Sequence, residues 1–199
     1  MKKLALCSIL LLFLFTLAGC NKKDIDITTE DITVNTIVAK ADGKLQVALV
    51  DLFDKPYYNL NELEEFAQNE INEYNKSIGE DKVVMDDIEL KDGKAVIILS
   101  FAGMEQYANF NQVSAAYFNG GIKDNPLSLP ETLVNADGEE TANTQEVLQN
   151  QKYKIIVLNE LYDIIVDGTV KFYSENASLG AKNMVHGAAE GMTVVVYKP

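Results

Sequence analysis

The side chains able to do chemistry are few, and their spacing argues against most enzymatic sites. His186 is the only histidine. A multi-histidine metal site is therefore excluded, and so is any site built on two imidazoles. His186 stands four residues before Glu190, a spacing that would put both on one face of a helix, but Gly187 and Gly191 argue against a helix there. Two ligands also fall short of the three or four that zinc takes, so a polar loop position is expected for His186. Adjacent acids occur at Glu64-Glu65, Asp86-Asp87 and Glu139-Glu140, but 30 acidic residues produce such neighbours by chance. A glycosidase pair needs a fixed separation across a cleft, which sequence spacing does not set. Asp24, Asp26, Glu30 and Asp31 lack the glycine and alternating oxygen ligands of a calcium loop. Phosphate-cradling glycine loops, HExxH and GxSxG are all absent from the sequence. The remaining chemistry is aromatic and amide. Tyr57 and Tyr58 follow Pro56, and Tyr107, Asn109, Asn111, Gln112, Tyr117 and Asn119 cluster further on. Rings that pack on an apolar ligand face beside amides that satisfy its polar groups suit a carbohydrate or peptide groove. Tyr57, Tyr58, Tyr117 and Asn119 are the expected ligand surface, formed by the loop Asp54 to Asn59 and the segment Tyr117 to Asn125. The competing expectation is that these rings cap a helix–sheet core. No catalytic residue, cofactor or metal ligand is assigned.

Charge narrows the partners. Thirty acidic residues face 17 basic ones, for a formal net charge of −13, and every basic residue is lysine. An acidic chain without guanidinium groups does not suit nucleic acid or an anionic lipid surface. At 47% hydrophobic, with nine Tyr and eight Phe, it can bury a core.

Lys2 and Lys3 precede the uncharged run Leu4 to Leu17. That run is shorter than the ~20 residues of a membrane-spanning helix and has the make-up of a signal-peptide core. It ends in Leu17-Ala18-Gly19-Cys20, which resembles the lipobox of bacterial lipoproteins. The resemblance implies cleavage before Cys20 and acylation of its thiol, with palmitate-type chains. The other cysteine, Cys7, lies in the segment to be removed, which leaves no disulfide or thiol nucleophile. The expected organisation is a signal peptide at 1–19, a lipidated Cys20 with a flexible stalk to residue 31, and a single globular domain at 32–199.

The elements that would position a site can be read from pattern. Thr33 to Ala41 and Leu45 to Leu52 flank Asp42-Gly43, and Ile88 to Leu90 and Ala95 to Phe101 flank Asp92-Gly93. Both read as hairpins with positive φ at Asp and Gly. Leu60, Leu63, Ala67, Ile71, Tyr74 and Ile78 form one helical stripe, with Phe66 beside it, Asn59 or Asn61 as cap and Gly79 as stop. A second helix is expected from Met104 to Phe118. Residues 122–152 read as irregular, with a short strand at Thr132 to Asn135 and a helical turn at Thr144 to Leu148. Strands are expected at Tyr153 to Leu158, Tyr162 to Val166, Thr169 to Tyr173 and Thr193 to Tyr197, with a loose stretch from Glu175 to Gly191. Segregated strands and helices give an α+β class, a mostly antiparallel sheet with two main helices packed on it.

The lipobox, Asn35-Thr36-Ile37 before Asp42-Gly43-Lys44, Phe53-Asp54-Lys55 before Tyr57-Tyr58, and Glu62-Leu63-Glu64-Glu65-Phe66 together resemble uncharacterised lipoproteins of low-GC Gram-positive anaerobes. The similarity runs on through Val157-Leu158-Asn159-Glu160 and Val170 to Tyr173. It implies a lipid-anchored protein on the extracytoplasmic face of the cell membrane and carries no activity with it. A non-catalytic binding module for another envelope protein or an extracellular ligand is the expected role. A small carboxylate-dependent hydrolase and a structural or assembly lipoprotein are the alternatives.

Overall fold

The computed structural model describes residues 25–123, 127, 129–138 and 140–199. The expected signal segment, Cys20 and Asp24 lie outside the described residues, as do residues 124 and 125 of the expected ligand surface. In chain order, β1 Thr36–Ala39 and β2 Leu45–Leu52 lead to α1 Leu60–Ile78, and β3 Val83–Lys91 and β4 Lys94–Phe101 lead to α2 Met104–Asn111. Strands β5 Ala115–Asn119, β6 Thr132–Asn135 and β7 Thr141–Asn143 precede α3 Thr144–Leu148. Then come β8 Lys154–Leu158, β9 Asp163–Val166, β10 Thr169–Tyr173, β11 Ser178–Ala181, β12 Met184–His186 and β13 Thr193–Lys198.

The strands form two sheets, ordered β11-β12-β9-β1-β2-β4-β3 and β5-β8-β13-β10-β6-β7. Their pairings are antiparallel except for β1 with β9, which is parallel. The α+β class therefore stands in its coarse form, with two sheets in place of the single one expected. The inner faces of the sheets share a core in which Ile37, Leu45, Val47 and Phe101 meet Ile156, Leu158, Val195 and Tyr197.

Both hairpins form, with different turns. Asp92 and Gly93 take φ of 50° and 73° between the paired Lys91 and Lys94, a two-residue turn with both centres left-handed. At the first hairpin only Gly43 is left-handed, with φ of 89°. Gly43 N–H donates to the Lys40 carbonyl, and Lys40 N–H donates to the Lys44 carbonyl. This is a three-residue loop, so Asp42 keeps an ordinary φ and instead accepts the Lys44 N–H through its carboxylate.

Three expectations are corrected by packing. The second helix ends at Asn111, where Gln112 turns left-handed, and Ala115–Asn119 is strand. Val113, Ala115 and Tyr117 face one core while Ala116 and Phe118 face another. A strand buried on both faces carries apolar residues continuously and imitates a helical run. The loose Glu175 to Gly191 stretch contains the β11–β12 hairpin. The expected stalk is not free where it is described. Ile27 and Ile32 are buried against Val38, Ala48, Val96 and Ile98 on the outer face of the first sheet, Ile27 N–H donates to Gln46 Oε1 at 2.8 Å, and Lys40 pairs with Asp26 at 2.5 Å.

Helix α1 starts where Asn59 accepts the Asn61 N–H through its side chain and stops at Gly79. One side chain joins it to the sheet. Asn75, buried, donates from Nδ2 to the Val83 carbonyl at 2.8 Å and accepts Lys82 and Val83 N–H at 3.0 Å each. Removing it leaves buried backbone groups of β3 without partners, at about 1–3 kcal/mol per group. Asn75→Ala should therefore lower stability by about 3 kcal/mol and Tm by about 6–12 °C. Asn72→Ala, on the exposed face of the same helix, should stay within about 0.5 kcal/mol. Thermal denaturation of the two variants measures the difference.

Candidate functional site

Helix α1 packs along edge strand β3 through Ile71 and Asn75 and leaves the neighbouring strands partly uncovered. The result is a groove of about 510 Å³. Leu49 of β2 with Ile97 and Leu99 of β4 make its floor, and Leu63, Ala67 and Tyr74 make its helical wall. Phe66 stands at the lip with 62% of its surface exposed. Asn109, Phe110 and Gln112, where α2 ends, close one end, and the Tyr74 and Phe110 rings meet edge to face at 5.4 Å. A second concavity of about 600 Å³ shares Leu49, Leu63 and Ile97 with the first and continues the groove to Phe53 and Tyr58. Glu70, Glu73 and Ser77 border the apolar floor. An apolar trough with amides at one end, a tyrosine at the other and a carboxylate rim suits an extended, mostly apolar ligand with a few polar groups.

The expected ligand surface divides. Tyr57 and Tyr58 are exposed, with Tyr58 stacked on Phe53 at 4.8 Å and Tyr57 edge-on to Tyr58 at 5.0 Å. Tyr58 borders the groove. Tyr117 does not: it packs on the inter-sheet core with its hydroxyl enclosed, and Lys154 Nζ lies 5.6 Å over its ring. Lys154 also donates to the Ala41 carbonyl, which places Tyr117 by the β1–β2 turn. Asn119 is exposed and pairs in register with Lys154. The turn and the Tyr57–Tyr58 loop lie at opposite ends of β2, which extends about 25 Å at ~3.4 Å per residue. Four residues read as one surface are thus two separate ones, because Met104 to Phe118 is not a continuous helix. The amides that reach the groove are Asn109 and Gln112. The floor residues gave no separate signal, since Leu49, Ile97 and Leu99 look like any strand core; Phe66, just off the helical stripe, was the one legible sign.

Of the adjacent acid pairs, Asp86-Asp87 has structural partners. Asp86 accepts Gln46 Nε2 at 3.0 Å and Ser100 Oγ at 2.6 Å, while Asp87 and Glu89 both receive the Thr29 hydroxyl, at 3.2 and 2.7 Å. They latch residues 25–31 to the sheet. His186 is on strand β12, not in a loop, and its Nδ1 meets Asp163 Oδ1 at 2.7 Å, with Glu190 uninvolved. Ser178 is opposite His186 in the register. A Cβ built on Gly180 would come within 2.6 Å of His186 Nε2, so the imidazole lies over Gly180. Among the described residues, no three His, Cys, Asp or Glu side chains gather to hold a metal, and no helix is long and apolar enough to cross a membrane. The chain matches no protein-family model, no curated protein and no solved structure.

The core beneath the groove carries phenols. Tyr107 projects from α2 between the sheets, fully buried, with its ring edge-on to Phe101 at 5.4 Å and its hydroxyl donating to Glu160 Oε2 at 2.5 Å. Burial pushes its pKa up, and the neighbouring Tyr162 and Glu160 add to the shift. Burial also raises Tyr162 and Tyr197, the latter helped by adjacent Tyr117. Each group titrates near 10 when unfolded. A folded pKa above the unfolded one gives stability that is full below pH ~10 and is lost as pH rises beyond it, by about 1.4 kcal/mol per pH unit for each tyrosine kept neutral. Stability should therefore be insensitive to Tyr ionisation at neutral pH and fall steeply above about pH 10. In an alkaline titration followed by phenolate absorbance, these three tyrosines should ionise together with loss of near-ultraviolet circular dichroism. Their ionisation in a still-folded protein is the contrary result.

Proposed function

We propose that this chain is a lipoprotein anchored through acyl chains on Cys20 to the extracytoplasmic face of the cell membrane, and that its domain is a non-catalytic binding module. The observation that carries the binding role is the groove between α1 and the first sheet. It leaves Leu49 and Ile97 partly uncovered although α1 has an apolar stripe beside them, and Phe66 faces solvent at 62%. Exposed apolar surface bordered by polar side chains is what a ligand or partner protein covers. Helices α1 and α2 serve this reading as the frame of the groove. The anchor is supported by the order of Lys2-Lys3, the apolar run and Leu17-Ala18-Gly19-Cys20. Two or more acyl chains, at ~0.8 kcal/mol per buried methylene, suffice for stable attachment.

The anchor is tested by expressing the full chain in a bacterium and following radiolabelled palmitate and membrane fractionation. Wild type should take up label and sediment with membranes, whereas Cys20→Ala should do neither. A Cys20→Ala chain that is still labelled and processed at the same bond sinks the anchor. The groove is tested with the neutral apolar dye Nile red. Phe66→Ala should weaken dye binding about tenfold, because a ring contact of ~1.5 kcal/mol is lost. Its Tm should not move, because Phe66 is exposed. Unchanged dye affinity in both Phe66→Ala and Leu63→Ala would falsify the assignment of the groove.

A further inference from the structure

The apolar groove is bordered by charge of one sign. Glu62, Phe66, Glu70, Glu73 and Ser77 follow one another along α1 at steps of three and four, so they form one stripe, and the last four of them line the groove. The exposed Phe66 ring thus has a carboxylate one turn before it and another one turn after it. On the floor, Leu45, Val47 and Leu49 face inward at alternate positions of β2, and Asp51, next in that series, borders the continuation of the groove. Among the described residues, no lysine lines either concavity, and neither Glu70 nor Glu73 has an ion-pair partner. The nearest elements supply little to offset these acids. Helix α1 carries Glu64 and Glu65 besides, against Lys76, and α2 adds Glu105 without any basic residue. Lys91 and Lys94 reach the Glu30 and Thr33 carbonyls, in the segment that covers the opposite face of the sheet, while Lys55 pairs with Asp54 at 3.1 Å and Lys82 with Glu80 at 2.6 Å.

We infer that the occupant of the groove is a cationic amphipathic helix of a partner protein, with its apolar side chains on the sheet floor and its lysine or arginine side chains along the α1 lip. The inference rests on reading the groove as a binding site. Leu49 and Ile97, partly covered, take the apolar side chains. A lysine or arginine lays its methylene stem along apolar surface and keeps its charged head in water, so a stem on Phe66 brings the head to Glu62, Glu70 or Glu73. The wall from Leu63 to Ser77 is about 21 Å long at ~1.5 Å per residue, the length of a partner helix of about 14 residues. A segment with acidic flanks would instead bring like charges together well within a Debye length of ~8 Å.

The test titrates the full chain, held in vesicles of phosphatidylcholine, with a dansyl-labelled amphipathic peptide of leucine and lysine about 14 residues long, protein-free vesicles giving the background. The same peptide with glutamate in place of lysine is the comparison. The lysine peptide should bind at least about tenfold more tightly, and the margin should shrink near ~1 M salt, where the Debye length is ~3 Å. Glu70→Gln combined with Glu73→Gln should weaken the lysine peptide about threefold to tenfold, the modest effect of two exposed ion pairs. Glu64→Gln combined with Glu65→Gln makes the same change in net charge on the same helix, at positions that do not line the groove, and should weaken it less than about twofold. All four glutamates are exposed, so both variants should keep the wild-type Tm. Equal losses in the two double variants overturn the inference, because the overall charge of the chain is then the attraction. Unchanged affinity in the Glu70 and Glu73 variant overturns it as well. A wild type that binds Nile red through Phe66 but takes both peptides equally overturns it and leaves the groove standing as a site for a neutral ligand. Dye affinity that is unchanged in both Phe66→Ala and Leu63→Ala removes the groove and this inference together.

Discussion

Burial of the central strands on both faces is the constraint that dictates the architecture. Thr36, Ile37, Val38 and Ala39 of β1 are all buried, and so are Ile155 to Leu158 of β8 and Thr193 to Tyr197 of β13. A strand with apolar residues on both faces must be covered twice. The inner faces cover one another. The outer face of the second sheet is covered by Leu129, Val147 and Leu148, from the segment that includes α3. The outer face of the first is covered by Ile27 and Ile32. A fully buried Val or Ile contributes about 1.5–3 kcal/mol. Baring Val38, Ala48, Val96 and Ile98 would thus cost a large share of the about 5–15 kcal/mol that holds such a domain together.

That need gives the acidic residues of β3 their structural meaning. Residues 25–34 carry too little apolar surface to bind by hydrophobic contact alone, so polar contacts align them. Gln46 is the centre of this latch: it takes the Ile27 N–H with its oxygen and gives its amide to Asp86, which also holds Ser100. Lys91 adds a bond to the Glu30 carbonyl. A buried amide bonded through both its oxygen and its nitrogen fixes one register, where an apolar contact would tolerate sliding.

The groove is where coverage runs out. Helix α1 is fastened to β3 at its C-terminal half by Asn75, and α2, only eight residues long, ends at Gln112. Between the two anchoring points, Leu49 and Ile97 stay only partly covered, beside the buried Leu99. The apolar opening is thus set by a hydrogen-bonding amide and a helix stop, and both are local features acting at a distance.

What the sequence determined by itself is what local physics fixes: the turn glycines at 43 and 93, the Asn59 cap and Gly79 stop of α1, the short α3 at Thr144–Leu148, and the α+β class. Each depends on neighbours a few residues away. Pattern also gave the Leu17–Cys20 resemblance on which the proposed anchor rests. Tertiary structure alone decided which apolar runs were strands with two buried faces, and so turned the second half of an expected helix into β5. It alone sent Tyr117 inward while leaving Tyr57 and Tyr58 outside, made a cover of an expected stalk, and set His186 against Asp163 instead of Glu190. In each case the deciding partner is tens of residues distant in the chain. Periodicity reports how many faces of an element are apolar, and not what will cover them.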